Sequence, residues 1–234
     1  HAVSKLSSFH FVSTKVHFER LISIGESVNR IYNIGSMALD NFKNHKPMST
    51  KSIMNHFNLN KNFTNFCLLI FHPLDLESDY SSEIFQNILE VLNDLNIKVF
   101  ASYPNTDPGN QKIISVIEKY YNHENFKFFK NLPRDVFLSI YKNSKFLIGN
   151  SSSGIIEAAS VPLPVVNVGE RQKNRDQSGN VLFCKTKYTD IYDAVNKVNN
   201  QKFRKNIKNI KNIYGDGMSV EKAFLILKKI DFSL

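Results

Sequence analysis

Strand-sized apolar runs alternate with helical stretches along this chain, and that rhythm leaves it few folds to adopt. The runs are FHFVS (9–13), RIYNIG (30–35), NFCLLIFH (65–72), KVFASY (98–103), FKFF (126–129), KFLIG (145–149), PVVNVG (164–169) and NVLFC (180–184). Between them, SSEIFQNILEVLNDL (81–95) sets Ile84, Ile88, Val91, Leu92 and Leu95 on one stripe of a helix. NQKIISVIEKYY (110–121) does the same with Ile113, Val116, Ile117 and Tyr120, and DVFLSIYKNS (135–144) forms a third helix behind the turn at Pro133. Such alternation predicts an α/β fold with a mostly parallel sheet and helices on both faces.

The chain has 234 residues, 42% of them apolar, which is enough for a sizeable core. One stretch breaks the rhythm: KNHKPMSTKSIMNHFNLNKNFTN (43–65) is polar, rich in Asn and Lys, and holds no strand run. It reads as a connector with a short helix. The boundary is therefore expected near residue 50, with residues 1–48 ending one domain and 49–234 forming the next. Because SSFHFVST (7–14) already resembles a buried strand entering a turn, the chain is expected to be a piece of a longer polypeptide.

The formal charge of +9, from 30 Lys and Arg against 21 Asp and Glu, favours anionic partners without choosing among phosphates, nucleic acid and acidic lipid. Much of the excess lies in QKFRKNIKNIKNIYG (201–215), which reads as a solvated helix face. No RNA-binding or helix-turn-helix signature accompanies it, so no nucleic-acid partner is expected. No apolar run is long enough to span a bilayer, and no membrane partner or secretory leader is expected. Cys67 and Cys184 each sit in an apolar run and read as buried free thiols of a reducing compartment. The expected location is cytoplasmic.

In an open α/β sheet, ligands bind at the carboxyl ends of the strands. Five successive runs end in polar or glycine-rich loops: His72-Pro73, Pro104 to Asp107, Lys130 to Pro133, Gly149 to Gly154, and Gly169 to Gln172. A shared cleft is expected. The loop GNSSSG (149–154) has the composition of an anion cradle, with glycines for tight turning, serine hydroxyls as donors, and helix amides starting near Ser152. Capping a helix needs only one of the three serines. Glu157 lies four residues after Ser153 where a capping box wants three, so it is not expected to pair with any serine, and its carboxylate is free to accept from ribose hydroxyls. There is no P-loop, no metal-spaced Cys/His cluster and no GxSxG elbow, so neither a cofactor or metal nor covalent serine catalysis is expected.

GNSSSGIIEAASVPLPVVNVGERQKNRDQSGNVLFC (149–184) resembles the signature segment of the UDP-N-acetylglucosamine 2-epimerases, especially their hydrolysing branch. HAVSKLSSFHFVST at the start, NIGSMALDNF (33–42), the HP pair at 72 and 73, YPNTDPG (103–109) and IYGDGMS (213–219) are similar to the family in order and spacing. The resemblance implies a GT-B type fold of two Rossmann-like domains, with this chain supplying the C-terminal, nucleotide-sugar-binding one. It implies that Ser151 and Ser152 contact the diphosphate, Glu157 holds the ribose, and the backbone around Asn131 and Leu132 meets the uracil. Asn105 and Arg171 would line the site, and His72 would lie by the phosphates and sugar as a group needed for activity. The implied reaction converts UDP-N-acetylglucosamine and water to N-acetylmannosamine and UDP, as in the supply of sialic acid precursors. Its acid and base carboxylates come from the N-terminal domain, and the complete proteins are commonly homo-oligomers, dimers or tetramers. Relatives acting on GDP- or UDP-linked diacetylbacillosamine share much of the pattern. A GT-B glycosyltransferase and a non-catalytic nucleotide-sugar-binding module are the alternatives; the GERQxxR continuation and YGDG argue against the transferase.

Overall fold

A computed structural model describes residues 1–73 and 80–230. The chain forms two compact units: Lys46–Ile210, and His1–His45 joined by the described residues from Lys211 on. All eight runs anticipated from the sequence are strands: β1 (His10–Val12), β2 (Ile31–Asn33), β3 (Cys67–Ile70), β4 (Val99–Ser102), β5 (Phe126–Phe129), β6 (Leu147–Gly149), β7 (Val165–Val168) and β8 (Val181–Cys184). The described helices are α1 (Ala2–Leu6), α2 (Lys15–Ser23), α3 (Asp40–Asn44), α4 (Thr50–His56), α5 (Tyr80–Asp94), α6 (Asn110–Tyr120), α7 (Arg134–Asn143), α8 (Ser152–Ile156), α9 (Tyr188–Asn199), α10 (Gln201–Ile207) and α11 (Ser219–Leu227).

The larger unit is built on six parallel strands in the order β5-β4-β3-β6-β7-β8. Counted from β3 this is 3-2-1-4-5-6, the doubly wound Rossmann order, whose direction of winding reverses between β3 and β6. Strands β3 and β4 are buried at every residue, as expected where helices cover both faces. On one face Cys67, Leu69, Val99, Ala101, Ile148 and Val166 pack with the apolar stripes of α5, α6 and α9. On the other, Phe100 is ringed by Phe57, Phe63 and Phe66 at centroid distances of 5.1, 5.3 and 4.7 Å. Two of these rings, Phe57 and Phe63, thus anchor the stretch read as a connector, and Ile53 and Met54 of α4 are buried as well. A segment can look polar on average and still dock firmly when its few apolar residues converge on one core residue.

In the smaller unit β1 and β2 pair in parallel. The sequence reading ran the second domain to residue 234, whereas the structure packs the described residues from Lys211 on with residues 1–45. Two contacts explain the return. Gly35 and Gly215 approach so closely that a Cβ on Gly35 would stand 2.9 Å from the Tyr214 carbonyl oxygen. Asp40 then caps α11, accepting from the amides of Ser219 (3.0 Å) and Val220 (2.8 Å). The basic stretch 201–215 is helical only to Ile207. No described helix is long and apolar enough to cross a membrane.

Candidate functional site

The carboxyl ends of β3, β4, β5 and β6 open into a cavity of about 680 Å³. His72, Asn105, Asn131, Leu132, Ser151 and Glu157 all line it, six expected residues from four separate loops. Two expected residues do not. Ser152 is half-buried outside the lining, where its neighbour Ser153 stands instead, and the Arg171 guanidinium is turned to the Asn150 carbonyl (3.3 Å). The loop after β7 therefore does not share the cleft as expected, because β7 lies beyond β6 in the sheet, away from β4 and β5. It borders a separate cavity of about 760 Å³ with the residues after β8, lined by Glu170, Lys173, Arg175, Cys184 and Lys187 among others.

Two glycines bring backbone and helix together at this junction. Gly149 pairs with Ile70 at φ +133°, and a Cβ there would lie 2.0 Å from the Ile70 carbonyl oxygen, so only glycine fits. Gly154 lets α8 settle onto β6 and β7, since a Cβ would meet Val165 at 2.9 Å and Leu147 at 3.3 Å. Ser151 is the N-cap, its hydroxyl accepting from the Ser153 amide at 3.3 Å. The helix it opens has only five residues and passes into a single 3₁₀ turn at Ala158–Ser160.

Glu157 was expected to have no serine partner, and the structure corrects this. Ser153 Oγ donates to Glu157 Oε2. Residues four apart are neighbours on a helix face, so the spacing that excludes a capping box permits this side-chain bond. Tyr141 completes the group, its hydroxyl donating to the Ser153 carbonyl at 3.0 Å. Burial holds the Glu157 carboxyl above the ordinary glutamate range, while the Ser153 bond and the Arg134 charge pull it down. A carboxyl raised on folding adds stability at acid pH and loses it as pH climbs through its raised pKa. Glu157→Gln is therefore expected to match the parent near pH 4 and melt about 3 °C higher at neutral pH. Thermal denaturation of both proteins across this range checks it, and a difference that narrows as pH rises would contradict it.

His72 is half-buried at the end of β3. Its Nδ1 accepts from the Asn105 amide at 3.2 Å. Burial first, and then the Arg171 charge, depress its pKa, with Asp107 opposing. The imidazole is thus favoured as the neutral ring. Two residues at this junction were absent from the candidate set. Asn150 is fully buried, with its side chain bonded to the His72 main chain, and Gln172 is 2% exposed and bonded to Asn150. An asparagine following a glycine at the end of an apolar run was the only signal available. Ser102 also lines the cavity, and its buried hydroxyl has no hydrogen-bond partner among the described residues. Cys67 is buried, but Cys184 is only partly so, a correction to the expectation that both free thiols are buried; burial pushes the Cys184 thiol to about 12. Among the described residues no cluster of His, Cys, Asp or Glu could hold a metal ion.

A 3-2-1-4-5-6 parallel sheet with a crevice at its winding reversal defines a Rossmann-like α/β domain, the class anticipated from the sequence. The sequence profile described as UDP-N-acetylglucosamine 2-epimerase matches residues 1–228, and the chain belongs to that family. It is 38% identical over 237 residues to the UDP-N,N'-diacetylbacillosamine 2-epimerase (hydrolyzing) of Legionella pneumophila, covering 98% of this chain and 60% of that protein. It is 29% identical over 197 residues to the UDP-N-acetylglucosamine 2-epimerase of Neisseria meningitidis, covering 84% of this chain and 52% of that one. Among solved structures it superimposes on a Neisseria meningitidis UDP-GlcNAc 2-epimerase bound to UDP-GlcNAc with a TM-score of 0.79 at 17% identity, covering 97% of this chain and 63% of that one. A Methanocaldococcus jannaschii UDP-GlcNAc 2-epimerase in complex with UDP-GlcNAc and UDP gives 0.72 at 19%, covering 96% and 62%. The chain thus spans between half and two thirds of the length of these relatives.

Proposed function

We propose that this chain is the nucleotide-binding part of a hydrolysing nucleotide-sugar 2-epimerase. The observation that carries this reading is the gathering of six of the eight expected residues, from four loops, around one crevice at the sheet's winding reversal. In this reading residues 1–48 end an N-terminal Rossmann-like domain and residues from 49 on form the C-terminal one, the described end of the chain from Lys211 returning to pack with residues 1–45. Ser151, in the lining, holds the diphosphate, and Ser152 joins it by turning its hydroxyl inward when the nucleotide is bound. Glu157 accepts from the ribose, and the backbone at Asn131 and Leu132 meets the uracil. His72 lies by the phosphates and sugar with Asn105 beside it, and Arg171, bonded to the Asn150 carbonyl outside the lining, acts on the site through its charge. The reaction has a base remove the proton at C2 of UDP-N-acetylglucosamine while the C1–O bond breaks and UDP departs. Water then adds across the resulting glycal to give N-acetylmannosamine. The residues of this chain stabilise charge on the departing diphosphate. The proton-moving carboxylates belong to the part of the relatives that this chain does not span.

The 38% identity to the diacetylbacillosamine enzyme favours a second reading, in which the sugar is UDP-N,N'-diacetylbacillosamine and the nucleotide end is unchanged. Calorimetric titration with UDP and GDP tests what both share. UDP is expected to bind more tightly than GDP, and Ser152→Ala and Glu157→Ala each to weaken UDP roughly tenfold, as for loss of a hydrogen bond to a charged or buried group. Unchanged affinity in both variants would remove the cradle assignment.

A further inference from the structure

The side-chain amide of Asn150 makes two bonds to one residue. Its Oδ1 accepts from the His72 amide at 2.9 Å and its Nδ2 donates to the His72 carbonyl at 2.8 Å. The His72 main chain has one donor and one acceptor, so this pairing fixes which way the Asn150 amide is turned. Asn150 is held in turn. Its amide donates to the Ile70 carbonyl (3.1 Å), and its carbonyl accepts from Gln172 Nε2 (2.9 Å) and Arg171 Nη1 (3.3 Å). Every strand end involved is thereby tied: β3 through His72, β6 through Asn150, β7 through Gln172 and Arg171. On its far side His72 meets the Asn105 amide, from the loop after β4, through Nδ1. A backbone amide can only donate, so Nδ1 must be the unprotonated ring nitrogen and Nε2 the one that carries hydrogen.

We infer that Asn150 is a positioning residue for His72: it anchors the His72 main chain across the junction of β3 and β6 so that the Asn105 amide reaches Nδ1, making Nε2–H a fixed hydrogen-bond donor in the crevice. The inference deepens the proposed function and rests on it for the identity of the acceptor, a phosphate oxygen of the nucleotide. It assigns His72 the work of a neutral donor to negative charge, not that of a proton-abstracting base. The geometry supports this independently of any ligand, because the tautomer is set by bonds within the protein. Such a donor costs no reorganisation when the diphosphate leaves.

Ring-nitrogen chemical shifts of the ¹⁵N-labelled chain at about pH 8, with the His72 signals identified by their loss in His72→Gln, read the tautomer directly. The expected result is hydrogen on Nε2; a predominant Nδ1–H form in the parent chain would overturn the inference whatever any variant does. In Asn150→Ala the two tautomers are expected to mix and UDP affinity to fall about tenfold. A folded Asn150→Ala that keeps the single Nε2–H form would also overturn it. Should that variant fail to fold, Gln172→Ala, which frees the Asn150 carbonyl on one side, and the parent tautomer decide the matter. Ser152→Ala is the control, expected to weaken UDP while leaving the His72 shifts unchanged. A correct tautomer in a chain that binds no UDP would sink the nucleotide reading and leave the positioning role standing; the opposite pattern would do the reverse.

Discussion

Gly149→Ala is expected to be the most damaging single substitution in this chain. The new methyl would lie 2.0 Å from the Ile70 carbonyl oxygen, at φ +133°. That oxygen is backbone within a paired strand and also accepts from the Asn150 amide, so no flexible side chain can yield to the methyl. Strand β6 would have to move off β3 at the register pair that opens the crevice. A cost on the order of 4 kcal/mol is expected, at the severe end of single changes. For a chain of this size that is a fall of roughly 10 °C in melting temperature, with loss of UDP binding under the proposed function. A soluble Gly149→Ala protein melting within a degree or two of the parent would show that the two strands do not meet as described.

The second large effect concerns turnover. With UDP-N-acetylglucosamine as substrate, the chain alone is expected to release N-acetylmannosamine at least about 10⁴-fold more slowly than a complete relative. Positioned acid and base groups each contribute roughly 10²–10⁴ to such a reaction, and more than one is absent under the proposed function. Joining the chain to the preceding portion of a relative is expected to restore most of that factor. Release of the product by the chain alone at a rate near that of a complete enzyme would refute the division of labour.

The strands were readable because helices cover both faces of the sheet, which makes each buried strand a continuous apolar run. β3 and β4 are buried at all four residues, and their runs stand out from the surrounding sequence. The candidate residues were readable because a parallel sheet sends its ligands to strand ends, so polar residues just beyond a run mark the crevice. What failed was tertiary. Nothing local told that the loop after β7 would sit outside the crevice, since strand order is decided by pairing and not by sequence order. Asn150 was overlooked because its role is to bond a backbone 78 residues away. The four-residue spacing excludes a capping box for Glu157 but places its carboxylate beside Ser153 on one helix face, where the two bond. The return of the chain at Lys211 rests on a close approach of glycine backbones and on a cap from Asp40, about 180 residues away along the chain, neither of which leaves a local pattern to read.

Leu68 of β3 pairs with Leu147 of β6, the widest separation along the chain between neighbouring strands of this sheet. Closing a long segment carries a larger entropic cost than closing the short crossovers between the other neighbours, so this pairing lacks the help of local contacts. Helices α5 and α6 and the pairs β3–β4 and β4–β5 can all form without it, yet the crevice exists only once it has formed. A chain that lacks this one pairing can keep the contacts among β3, β4 and β5 but has no crevice, so under the proposed function the nucleotide would favour molecules in which the pairing has formed.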